Sequence, residues 1–65
     1  MFTLRACRVN KNMTREEAAQ RVGISTRTLQ NYEEGVTFPP VDIAKKLLGL
    51  YEVGWNDIDF LIKEV

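Results

Sequence analysis

The sequence predicts an all-α fold, a compact unit of five short helices, and three observations carry that prediction. Apolar residues recur at helical spacing, as in Ile43, Ala44, Leu47, Leu48 and Tyr51. Helix starts are written as side-chain caps, with Thr14 three residues before Glu17 and Ser25 at the head of another run. Helix stops are written as Gly23 and Gly35, each directly after a periodic segment. The expected helices are 4–11, 15–22, 26–34, 40–51 and 55–63, in a single domain covering residues 1–65.

In the first helix Thr3 is the cap, and Leu4, Cys7, Arg8 and Lys11 share one stripe. Leu4 belongs to the core, Cys7 is read as a small buried hydrophobe, and Asn12 suits the left-handed residue that ends a helix. In the second helix Thr14 and Glu17 form a capping box, and Ala18, Ala19 and Val22 give the apolar stripe. Ala19 is small enough to let the next helix come close. Gly23 occupies the position that requires a positive φ, and Ile24 with Leu29 stands at the hydrophobic-staple positions of the third helix.

Stepping about 100° per residue divides the third helix into two faces. Thr28, Leu29, Tyr32 and Glu33 fall on a side suited to packing. Thr26, Arg27, Gln30, Asn31 and Glu34 fall on the other, which carries hydrogen-bonding groups of the kind that read base edges. Beyond the loop Val36–Phe38, Pro39 and Pro40 open the fourth helix, where a missing N–H is harmless. Val53-Gly54 breaks it. In the fifth helix Trp55, Ile58, Leu61 and Ile62 form one broad apolar face. Phe60 projects roughly opposite them, as a lone surface aromatic or as a contact to a partner.

Composition narrows the function. Histidine is absent and Cys7 is the single cysteine, so the chain offers no internal disulfide, no cysteine-rich metal site and no visible nucleophile–base pair. No catalytic residue, cofactor or metal is expected, and no small-molecule substrate. No apolar run approaches the length of a membrane span, so no membrane association is expected and the expected location is the cytoplasm. The formal net charge is zero, but it is unevenly spread. Up to Asn31 six basic residues face two acidic ones, net +4; from Tyr32 onward three face seven, net −4. Either one face is laid out for phosphate, or solvated charges have simply segregated along the chain.

The window from Thr14 to Gly35, with Ala19, Gly23 and Leu29 at its key positions, resembles the helix-turn-helix of the Cro/cI-type (XRE) repressor family. The likeness extends upstream to Leu4-Arg5-x-x-Arg8 and downstream to Pro39. It implies a lambda-repressor-like domain that binds double-stranded DNA, with the third helix in the major groove and the protein a regulator from a phage or mobile element. It implies base contacts from Thr26, Arg27, Gln30 and Asn31, and phosphate contacts from Arg5, Lys11 and Arg15. Arg8 and Glu33 match positions that pair across the first and third helices in the family. A domain this small is expected to bind tightly as a homodimer on a two-fold site. The dimer contact is then expected at the fifth helix, through Phe60 or the region of Val65. Two departures stand out: Arg15 replaces a neutral polar residue common at its position, and the loop Val36–Phe38, often basic in the family, is uncharged. The alternative is a protein-interaction module, of the anti-repressor or antitoxin kind, that keeps the same fold.

Overall fold

The computed structural model describes residues 2–60. The elements are β1 (Phe2–Thr3), α1 (Leu4–Asn10), α2 (Arg15–Val22), α3 (Thr26–Glu34), α4 (Val41–Tyr51), a 3₁₀ turn (Trp55–Asp57) and β2 (Ile58–Asp59). Each of the first three helices begins at a hydroxyl cap: Thr3 accepts from Ala6 N, Thr14 from Glu17 N and Ser25 from Thr28 N, each at 3.1 Å. Glu17 returns the bond at Thr14 N (3.2 Å), completing the box. Pro40 caps α4 without a side-chain bond, one residue earlier in role than the sequence suggests.

All four helices stop in the same way. A residue of positive φ follows the last turn, and the next amide bonds back to the carbonyl five residues earlier: Met13 to Arg8 (3.2 Å), Ile24 to Ala19 (3.0 Å), Val36 to Asn31 (2.9 Å) and Val53 to Leu48 (3.1 Å). The left-handed residues are Asn12, Gly23, Gly35 and Glu52. Gly23 and Gly35 take that conformation without the steric conflict a Cβ would bring. Glu52 is the unfavourable choice among the four.

α2 lies between α3 and α4, and the buried Ala18 and Ala19 let both neighbours approach. Around them Leu4, Cys7, Val22, Leu29, Leu47, Leu48, Tyr51 and Ile58 form one core. Among the described residues no helix is long and apolar enough to cross a membrane.

The all-α class holds with four α-helices among the described residues, and the fifth helix expected over 55–63 is corrected over 55–60. Trp55–Asp57 is a single 3₁₀ turn, closed by Asp57 N on Gly54 O (3.0 Å) and by the Asp57 carboxylate accepting from Gly54 N (3.1 Å). Asn and Asp favour such local turns over helix interiors. Ile58–Asp59 then pairs in parallel with Phe2–Thr3, in the register Phe2 to Ile58 and Thr3 to Asp59. Burial alternates accordingly: Ile58 in, Asp59 out. Trp55 is about half exposed, not part of an inner face. Phe60, expected to point outward, is partly buried against the core and meets Phe38 at 4.8 Å between ring centroids, the rings tilted by 48°. Residues 61–63 and Val65 lie outside the described residues.

Candidate nucleic-acid interface

α2, the turn at Gly23 to Ser25 and α3 make a helix–turn–helix. The turn is short because Gly23 reverses the chain directly after Val22, and Ser25 starts α3 two residues later. Leu29 and Glu33 anchor the inner side of α3, both buried. The outer side is therefore fixed: Arg27 and Glu34 are exposed, and Gln30 and Asn31 flank them half-buried. Thr26 sits at the first position of the helix, also half-buried. These polar groups share one face of one helix. Among the described residues Arg27 makes no ion pair. Gln30 Nε2 donates to Glu34 at 2.9 Å, an i, i+4 bond that aims its amide along the helix.

Behind α3 lies a buried charge cluster. Arg8 Nε donates to Glu33 Oε2 at 2.7 Å and Arg8 Nη2 to Oε1 at 3.4 Å, while Arg8 Nη1 donates to the Met13 carbonyl at 2.9 Å. The Glu33 side chain is 1% exposed, so this pair sits in the interior and ties α1 to α3. Arg15, at the first position of α2, adds a third donor through Nε to Glu33 Oε1 at 3.2 Å. Tyr51 packs beside this cluster. Its hydroxyl is buried without a hydrogen-bond partner among the described residues. Burial first, and then the nearby Glu33 carboxylate, push its pKa well above the ordinary value near 10.

The three residues expected at phosphate stand differently. Arg5 is exposed on α1. Lys11 Nζ donates to Glu52 at 2.7 Å, a surface pair across the ends of α1 and α4. That bond holds the Glu52 carboxyl below its usual pKa, through the hydrogen bond and the Lys11 charge. Arg15 is engaged by Glu33, with its side chain still 29% exposed. Sequence reading missed both of these side-chain bonds, and the Gln30–Glu34 bond as well. The Gln30–Glu34 spacing is a legible signal, whereas Lys11 and Glu52 are 41 positions apart and meet only through the fold. Phe38, Phe60 and Trp55 form an aromatic group beyond the end of α3, with Phe38 and Trp55 about half exposed.

A family model described as helix-turn-helix matches residues 4–58, from the first residue of α1 to the first of β2. No curated protein matches the chain. The capped α2, the glycine turn, the polar outer face of α3 and this match lead to one assignment: the chain belongs to the Cro/cI-type (XRE) helix-turn-helix family of DNA-binding domains found in transcription regulators.

Proposed function

We propose that the domain is a sequence-specific repressor that binds operator DNA as a homodimer, with α3 in the major groove. The observation that carries this reading is the outer face of α3, where Arg27 stands exposed in the first turn with Thr26, Gln30 and Asn31 around it. A forked guanidinium suits guanine O6 and N7, and the amides of Gln30 or Asn31 suit adenine N6 and N7. Arg5, Arg15 and Lys11 meet phosphates, Lys11 by leaving its exposed partner Glu52, since a surface pair of this kind holds only weakly. The aromatic group of Phe38, Trp55 and Phe60 supplies an apolar contact for the second copy.

Selection from random duplexes tests all of this. The expected product is two inverted half-sites, each containing a guanine. Arg27→Ala is then expected to cost about 1–3 kcal/mol on that site and to relax one base position only. A single unrepeated half-site removes the dimer, and equal weakening on selected and scrambled duplexes moves Arg27 to the backbone. The exposed Phe38 and Trp55 and the uncharged loop Val36–Phe38 favour a second reading, a protein partner in place of DNA. That reading is the outcome if no duplex is enriched.

A further inference from the structure

We propose that Glu33 is a positioning residue for DNA binding. It holds Arg15 by Nε, so that the two Nη groups of the same guanidinium face one phosphate as a preformed fork. This rests on the DNA-binding function proposed above and adds to it how the phosphate contact is aimed.

The donors around Glu33 are divided unequally. Arg8 gives Nε and Nη2 to the carboxylate and Nη1 to the Met13 carbonyl, so its hydrogen-bonding capacity is turned inward. Its side chain is 11% exposed. Arg15 gives only Nε, and among the described residues no acceptor meets either of its Nη groups. One carboxylate between two guanidinium groups leaves a surplus of one positive charge. With Arg8 closed in, that surplus lies on the more exposed Arg15.

Stability alone gives no reason for the second arginine. Arg8 already neutralises Glu33, and a partly exposed ion pair contributes little. A guanidinium, however, has two edges. When Nε is bound, the Nη1/Nη2 edge remains whole, and its two parallel N–H groups match two oxygens of a phosphate. Holding a long side chain in that pose before DNA arrives removes an ordering cost from the binding step. A lysine carries the same charge but cannot bond Glu33 and fork a phosphate at once.

The test compares wild type, Arg15→Ala and Arg15→Lys on the selected duplex across a salt series, with thermal melts as a control for folding. Arg15→Ala is expected to flatten the salt slope by about 0.9 per monomer. Arg15→Lys is expected to recover less than roughly half of the lost log affinity despite its charge. In the free wild-type protein the Arg15 Nε–H signal is expected to exchange slowly, and to persist when duplex is added. Arg15→Lys binding as well as wild type overturns the proposal, because a point charge then suffices. An Nε–H that exchanges as fast as that of Arg27 overturns it independently of any variant. A wild-type chain that binds no duplex instead removes the DNA-binding reading on which it rests.

Discussion

Glu33 accepts from two arginines, so losing different members of the cluster has different consequences. Arg8→Met leaves Glu33 with Arg15, a weaker and more exposed partner. Glu33→Leu leaves Arg8 as a buried cation with no carboxylate, which costs on the order of 3–5 kcal/mol for a well-buried pair. Chemical melts are therefore expected to rank Glu33→Leu below Arg8→Met, with the double variant more stable than Glu33→Leu alone. An Arg8→Met melt identical to wild type would show that the pair contributes nothing. Legibility at this scale followed the range of the interaction. The Thr14–Glu17 box is read directly from a spacing of three, whereas Arg8 and Glu33 are paired only through the family likeness because 25 residues separate them. That Arg15 joins the same carboxylate is not legible: the family likeness implies a phosphate contact for it, and only the packing of α2 on α3 brings it to Glu33.

The helices were legible because their ends are chemical. Hydroxyl caps and left-handed residues punctuate α1, α2 and α3 where the sequence places them. α4 ends less conspicuously, with Glu52 at φ 58, where asparagine or glycine is the usual occupant. The Lys11 pair helps hold Glu52 there, but the site is exposed and the bond is weak. Glu52→Gly is therefore expected to raise the melting midpoint by roughly 4 °C, the scale of relieving one left-handed side chain in a domain this small. A lower midpoint would mean that the Lys11 bond outweighs the backbone conflict. The misread element is the last one. Trp55 and Ile58 sit at helical spacing, and that spacing also fits a turn followed by a strand. The decision is made by Asp57 folding back on Gly54 and by the strand edge that Phe2–Thr3 offers, the second of which no local window contains.

For the molecule as a whole, two buried groups contribute to the response to alkali. Burial raises the Cys7 pKa above its ordinary value near 9, with the Asp57 carboxylate as a smaller cause. Tyr51 is raised from near 10 in the same sense. Each keeps its proton in the folded chain at a pH where the unfolded chain has released it. Above about pH 9 the unfolded state therefore binds fewer protons, and stability falls as pH rises; below that the contribution is complete. Melting midpoints are expected to hold up to neutral pH and decline from about pH 9 upward. Tyr51→Phe is expected to make the decline shallower above pH 10, with little loss at neutral pH because its hydroxyl has no hydrogen-bond partner to forfeit among the described residues. An unchanged decline would remove Tyr51 from the account.

The ribbon of β1 and β2 also bears on the order of assembly. Bringing Thr3 and Ile58 together from an open chain closes a loop of roughly 55 residues, at an entropic cost of about 3.5 kcal/mol. Two cross-strand pairs return less than that, at roughly 0.2–1 kcal/mol each. The ribbon therefore cannot nucleate the domain. It is expected to close after α1 to α4 have packed and shortened the gap, as a latch on a structure that the helices have already chosen, so substitutions in Phe2–Thr3 should speed unfolding and leave the folding rate unchanged.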